Sequence, residues 1–249
     1  MSTLQANLAR LQIMKNKVLS VLRKGENFEL KTELNSEYRE RRKEAVRRVI
    51  ANMTVGKDVS GLFTDVLKNM QTEDLEIKKL IYLYLINYAK TKPDLVILAI
   101  NTFVRDTEDT NPLIRALAIR TMGCLQVPEV FDYLCDPLKN CLEDRSPYVR
   151  KTAVMCVAKL YELDPAVTEE YGFIDSVRKA LTDSNAIVVS NAVTALGEMN
   201  EMDPTGSIWK LDSLIVKTLL NIMNDCSEWG QIAILESLTK YRPVSDTEA

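Results

Sequence analysis

The chain has 249 residues, 46% hydrophobic and 27% charged, the composition of a soluble protein long enough for one or two domains with a sizeable core. Only 8 Gly and 8 Pro leave little punctuation for turns and favour long helices, and a net charge of −3 argues against a wholly basic nucleic-acid-binding domain. Histidine is absent, which removes Ser-His-Asp and Cys-His catalysis and the commonest metal ligand.

Residues 1–24 carry Arg10, Lys15, Lys17, Arg23 and Lys24 and no acid. Leu4, Leu8, Leu11, Val18 and Leu22 form one helical stripe that Lys15 interrupts. No continuous apolar core follows the charges, so this is not a signal peptide. It reads first as a frayed extension over 1–23, with a transit peptide or a surface-binding amphipathic helix as the other readings.

Next comes "RERRKEAVRR" (39–48), with Arg39, Arg41, Arg42, Lys43, Arg47 and Arg48 against Glu40 and Glu44. On a helix Arg41, Glu44 and Arg48 line up for i,i+3/i+4 pairs, which gives an ordinary solvated face. The functional reading is docking on an anionic lipid surface, where each basic residue contributes about 1 kcal/mol. "VGKDVSG" (55–61) holds a Gly-Lys without the GxxxxGK[ST] pattern, so it is a loop between helices and no phosphate cradle. "LIYLYLINYA" (80–89) falls short of the ~18 apolar residues that span a bilayer. In "PDLVILAINTFV" (93–104), Leu95, Leu98, Ala99 and Thr102 form an inward stripe, while Ile97, Ile100 and Val104 form a second one; a helix apolar on two faces is either sandwiched between neighbours or meets a partner.

"DTNPLIRALAIRTMGCL" (109–125) is repeated as "DRSPYVRKTAVMCVAKL" (144–160) and more weakly as "DSNAIVVSNAVTALGEM" (183–199), at spacings of 35 and 39 residues. Asp leads each copy, Pro112, Pro147 and Ala186 follow at +3, and Ala118, Ala153 and Ala192 stand at +9. The register extends to Lys78 and to Arg42 with Ala45 upstream, and to Ala233 downstream, giving about six units over the chain from residue 36. Such a period predicts an all-α solenoid of HEAT/armadillo-like helical hairpins, in which stacked units share one core. The leading Asp suits a helix N-terminus, Pro suits the first turn, and the Arg at +6 (Arg115, Arg150) is placed to bond the Asp of an adjacent unit as a ladder.

Five cysteines (Cys124, Cys135, Cys141, Cys156, Cys226) form no CxxC pair and sit mostly among apolar residues, as buried reduced thiols would. Acidic pairs such as Glu143/Asp144 and Glu169/Glu170 fall at helix ends and read as caps or solvated faces. Trp209 and Trp229 lack the basic-aromatic alternation of a nucleic-acid platform. No catalytic residue, cofactor site or metal site is read from this sequence; an enzyme would need a bound cofactor to bring the chemistry.

The words within the units are more specific than their period. "KGENFELKTELNS" (24–36), "MTVGKDVSGLFTDVLKNMQT" (53–72), "KKLIYLYLINYAKTKPDL" (78–95), "NTFVRDTEDTNPLIRALAIRTMGCL" (101–125), "SPYVRKTAVMCVAKL" (146–160) and "CSEWGQIAILESL" (226–238) resemble the β-adaptin large subunits of heterotetrameric clathrin adaptors, over residues 24–249. The resemblance is nearest to the trans-Golgi/endosomal and plasma-membrane types. It implies a cytoplasmic scaffold, peripheral on membranes and coated vesicles. That scaffold pairs with a second large adaptin and with medium and small subunits, and takes part in cargo selection. It also implies binding of an Arf-family GTPase in its GTP form, with Ile97 and Ile100 aligning with positions that face the GTPase. The basic segment 39–48 is similar to one that plasma-membrane β-adaptins use for phosphoinositide headgroups.

Two departures stand against the family pattern. The chain stops at "RPVSDTEA" without a clathrin-binding motif or a capping repeat, so clathrin would be reached only through regions missing here, and a fragment, a truncated paralogue or an incomplete product is expected. Residues 1–23 do not match the family's short N-terminal arm, and its role is not carried over. The competing expectation is a truncated scaffold outside coats that binds or titrates adaptor partners.

Overall fold

A computed structural model describes residues 25–241, and the expectations for residues 1–23 and for the C-terminal "RPVSDTEA" lie outside them. The described residues are helical, joined by turns and short 3-10 segments, and contain no strand. They form two compact units divided between Leu95 and Val96.

The first unit holds α1 (25–34), α2 (Arg39–Thr54), α3 (Phe63–Lys68) and α4 (Leu75–Ala89). Helix α5 (Pro93–Asp106) begins just before the division. The second unit continues with α6 (Pro112–Cys124), α7 (Phe131–Leu142), α8 (Pro147–Leu163), α9 (Pro165–Glu170), α10 (Phe173–Lys179), α11 (Ala186–Met202), α12 (Ser213–Ile222) and α13 (Glu228–Thr239). Long, deeply buried helices alternate with shorter ones, and α8 packs between α6 and α11, with α13 on the far side of α11. This is the all-α solenoid arrangement that the period predicts.

The same local device starts α2, α4, α6, α8 and α11. One side chain accepts a hydrogen bond from the amide two residues on, and that amide belongs to the helix N-cap. Ser36 accepts from Tyr38 (3.3 Å) and Thr72 from Asp74 (3.2 Å). Asp109 accepts from Asn111 (2.7 Å), Asp144 from Ser146 (2.7 Å) and Asp183 from Asn185 (2.9 Å). The leading Asp therefore sits two residues before the cap and fixes the turn that enters the helix; the caps themselves are Asn111, Ser146 and Asn185. Pro112 and Pro147 occupy the first turn as expected.

Six residues after the leader stands a cation that closes the same turn. The Nη1 of Arg42 donates to the carbonyls of Ser36 (2.7 Å) and Glu37 (2.9 Å). Arg115 does so to Asp109 (2.8 Å) and Thr110 (3.1 Å), and Arg150 to Asp144 (2.8 Å) and Arg145 (3.2 Å). In the second unit the rest of the guanidinium forks onto the next leader. Arg115 grips Asp144 through Nε (2.7 Å) and Nη2 (2.8 Å), and Arg150 grips Asp183 in the same way (2.7 and 2.8 Å). The expected ladder is therefore present, and it ends where Val189 replaces the arginine.

Ala45, Ala118, Ala153 and Ala192 are fully buried and let neighbouring helices approach. The last unit differs from the expectation. Ala233 is only half-buried and Ile234 fills the slot, because the frame there is shifted by one residue. Gly123 of α6 lies against the Cys156 thiol of α8, and Gly230 of α13 against Ser190 of α11, so a methyl group at either position would collide.

Candidate docking surfaces

The basic segment lies on α2, whose buried side is Ala45, Val46, Val49 and Ile50. Apolar positions at this spacing turn the charged residues outward, yet most of those charges are already engaged. Lys43 pairs with Asp74 (2.8 Å) and Glu40 (3.4 Å). Arg47 pairs with Glu76 (3.2 Å) and Glu44 (3.6 Å), and Arg48 with Glu33 (2.7 Å) and Glu29 (3.6 Å). Arg42 is committed to the turn carbonyls. The i,i+4 pairing of Arg48 with Glu44 expected from the sequence is not made, because α1 offers Arg48 a closer carboxylate. Lys43, with the Ile77 and Glu76 amides, holds the Asp74 carboxyl below its ordinary value.

Arg39 and Arg41 have no carboxylate partner among the described residues; Arg41 lies over the exposed Tyr38 ring at 5.2 Å. Arg39, Arg42, Lys43 and Lys68 border an open, polar cleft of about 280 Å³. Three of these cations are spent on neighbours, since Arg42 holds the turn carbonyls, Lys43 pairs with Asp74 and Lys68 with Asp65 (3.2 Å). The Gly-Lys loop is likewise occupied. Lys57 pairs with both oxygens of Glu26 (2.9 Å), while Tyr84 donates to the Val59 carbonyl (2.6 Å) and Tyr88 accepts from the Val59 amide (3.3 Å). That agrees with a structural loop.

On α5 the buried stripe is Val96, Ala99, Ile100 and Phe103, at i, i+3, i+4 and i+7. Ile97 is 42% exposed and Leu98 61%, whereas Ile100 is 2% exposed. The inward stripe expected through Leu98 is therefore rotated by one position, and of the two isoleucines only Ile97 presents surface. Leu98 lies beside it in sequence as a second exposed apolar residue.

The comparisons with known proteins bear on these surfaces. The adaptin N-terminal region family matches residues 22–249. The chain belongs to that family. It is 55% identical to the AP-1 complex subunit beta-1 of Homo sapiens and of Mus musculus, over 94% of this chain and 25% of each relative. The chain thus spans about a quarter of the length of these relatives. A homology model of the full-length AP-3 complex in an intermediate open conformation shares the fold with a TM-score of 0.64 at 22% identity, over 79% of this chain and 34% of that chain. A designed armadillo repeat protein gives 0.57 at 19% identity, over 85% of this chain and 98% of that one.

Within this adaptin segment Cys135, Cys141, Cys156 and Cys226 are buried and Cys124 is half-buried. Burial pushes Cys135 up to about 11 and Cys141 up to about 12, and raises Cys156, whose Sγ lies 3.6 Å from the Ile119 carbonyl oxygen. Among the described residues no group of three or more Cys, Asp or Glu is placed to hold a metal, and no helix is long and apolar enough to cross a membrane. Glu143 caps α7 at its C-terminus and Asp144 leads a rung, while Glu170 ends α9, which agrees with structural roles for these acids. The carboxylates that neutralise the basic segment were not found from the sequence. Glu33, Asp74 and Glu76 lie on or at the ends of other helices, and no spacing rule within α2 points to them.

Proposed function

We propose that the chain works as a non-catalytic scaffold segment of a clathrin adaptor complex in vesicle-mediated protein transport, in association with a second large adaptin and with medium and small subunits. The family match over 22–249, with 55% identity to AP-1 beta-1 subunits, carries this reading. Its place is the cytoplasmic side of coated membranes, as a peripheral component. Purification of the tagged chain from its own cells tests it: recovery of a second large adaptin with medium and small subunits is expected, and a soluble, folded chain that recovers none of them overturns it.

Recruitment uses two surfaces in this reading. Ile97 contacts the GTP form of an Arf-family GTPase, with Ile100 supporting it from beneath. Ile97→Asp should abolish capture of the GTP-loaded GTPase while the helical circular dichroism spectrum stays unchanged. Arg39 and Arg41, the cations of segment 39–48 without carboxylate partners, meet anionic lipid headgroups, with Arg42, Lys43, Arg47 and Arg48 held in place behind them. Arg39→Glu with Arg41→Glu should weaken sedimentation with phosphoinositide liposomes about tenfold or more at low salt. Lipid binding that ignores both reversals removes this part of the reading and leaves the scaffold role standing.

A further inference from the structure

The second unit carries a row of exposed apolar side chains that no packing within the described residues accounts for. Four residues after each leader stand Leu113 on α6, Tyr148 on α8 and Ile187 on α11, 42%, 44% and 47% exposed. Trp229 holds the corresponding place on α13, four residues after Asp225, and is 82% exposed. The four helices pack in the order α6, α8, α11, α13. They keep their register, since Arg115 reaches the α8 leader and the Cys226 thiol lies at the Ala186 carbonyl, near the start of α11. The four side chains therefore form a continuous row across the helix N-termini, one per rung. In the first unit the same positions are Glu40 and Glu76, so the row is confined to the second.

Two observations say what fits it. The uncharged polar side chains Thr152, Asn191 and Thr194 of the next turns are turned back into their own helices. Thr152 donates to the Tyr148 carbonyl (2.9 Å), Asn191 to Ile187 (2.6 Å) and Thr194 to Ser190 (3.0 Å). An extended peptide laid here would find few partners for its amides and carbonyls, whereas a helix satisfies its own. Packed helices are spaced about 8–10 Å apart, and seven residues of a helix advance about 10.5 Å, so one apolar residue per heptad would meet each rung. Charge gives the direction. Over their first three turns α6 exposes Arg120 and α8 carries the half-buried Lys151, 4.6 Å above the Tyr148 ring, α11 exposes no charge there, and α13 exposes Glu228 and Glu236.

We propose that the row Leu113–Tyr148–Ile187–Trp229 is the seat of an amphipathic helix from a partner protein. That helix lies across the rungs with apolar residues at every seventh position. Its acidic N-terminal half lies over Leu113 and Tyr148, and its basic C-terminal half over Trp229. This polarity also suits the helix's own dipole, which favours acids at the N-terminus and bases at the C-terminus.

The test uses the full chain and a fluorescent synthetic peptide of about 22 residues, which places four leucines at heptad spacing. The peptide carries glutamates in its N-terminal half and lysines in its C-terminal half. Saturable binding is expected, about tenfold weaker for the chain carrying Tyr148→Ser and Ile187→Ser, and weaker again for a peptide with the two charged halves exchanged. If that variant does not fold by circular dichroism, Leu113→Ser with Trp229→Ser at the ends of the row replaces it. No binding, binding unchanged by the substitutions, or equal binding of a peptide interrupted by prolines overturns the proposal. So does a concentration-dependent self-association that the same substitutions abolish, which would make a second copy of the chain the occupant.

Discussion

The two units build the same turn from different leaders, and the difference separates two jobs that one residue can do. Ser36 and Thr72 in the first unit also accept the amide of the N-cap, at 3.3 and 3.2 Å against 2.7–2.9 Å for the aspartates, so the local turn forms. A single uncharged hydroxyl oxygen does not offer a guanidinium from the preceding rung the two-pronged, charge-assisted grip that a carboxylate does. Arg42 therefore stops at two carbonyls, and cross-helix charge passes instead through Lys43–Asp74 and Arg47–Glu76 on the surface. Asp144 and Asp183 in the second unit do both, tying rung to rung through bidentate pairs that are largely buried. Turn formation is thus a local property of the leader, while the ladder needs a carboxylate there and an arginine six residues after the leader before it.

The sharpest way to break this comparison is Asp144→Ala. It removes the acceptor of the Ser146 amide and leaves the buried Arg115 without its carboxylate, so a loss of about 3 kcal/mol in urea unfolding is expected. Ser36→Ala, which removes only the turn, should cost about 1 kcal/mol or less. Asp144→Ser separates the jobs within one site and should fall between the two. Acid titration sharpens the point. Burial pushes the Asp144 and Asp183 carboxyls up, but the Arg115 and Arg150 guanidiniums and the turn amides outweigh it and hold both below the ordinary aspartate value of 3.8. A depressed native pKa means that the stabilisation is complete above 3.8 and is lost as pH falls below that through the native value. The stability gap between the native chain and Asp144→Ser should therefore be constant at neutral pH and narrow only below 3.8.

A second contrast concerns packing. Gly123→Ala in the second unit drives a methyl into the Cys156 thiol and should cost about 1–3 kcal/mol, with Cys156→Ala in the same chain restoring part of it. Gly61 in the first unit has open space where a Cβ would stand, and Gly61→Ala should change stability by no more than about 0.5 kcal/mol. Equal effects at the two glycines would show that the close approach of α6 and α8 is not what fixes the second unit.

What could be read from the sequence follows the same division. The Asp and Arg positions of the second unit recur in identity as well as spacing, so the ladder was legible before any coordinates. Ser36 and Thr72 do the same turn with another residue type and were passed over as leaders, although Arg42 and Lys78 marked their place. Helix α5 shows a different obstacle. Six consecutive apolar residues, Leu95 to Ile100, are compatible with several faces, and only packing, with Phe103 in the core, decides that Ile100 goes in and Leu98 goes out. The basic run on α2 was legible as charge but not as paired charge, because its carboxylates arrive from α1 and from the start of α4. The apolar row of the second unit stands in the sequence at constant register, but exposure separates it from core, and exposure is settled by which neighbours each helix receives.

The smallest expected effect tests whether the surface pairs of the first unit replace the ladder or merely accompany it. Lys43 meets Asp74 at 2.8 Å, yet Asp74 also accepts the amides of Glu76 and Ile77 and keeps those bonds when the lysine is gone. Lys43→Met leaves the aliphatic stem in place and should cost much less at low salt than Asp144→Ala does, because the Lys43 and Asp74 side chains keep 19% and 21% of their surface exposed. Salt then discriminates. Charges open to solvent are screened over about 3 Å at 1 M ionic strength, so the Lys43→Met penalty should shrink there by the larger fraction, while the penalty of Asp144→Ala, in a pair only 7% and 11% exposed, should largely persist. If both penalties fall together, the ladder is a surface feature in solution and the distinction between the units is one of sequence alone. If only the first falls, charge in the first unit decorates a turn that a hydroxyl already makes, and charge in the second unit joins one rung to the next.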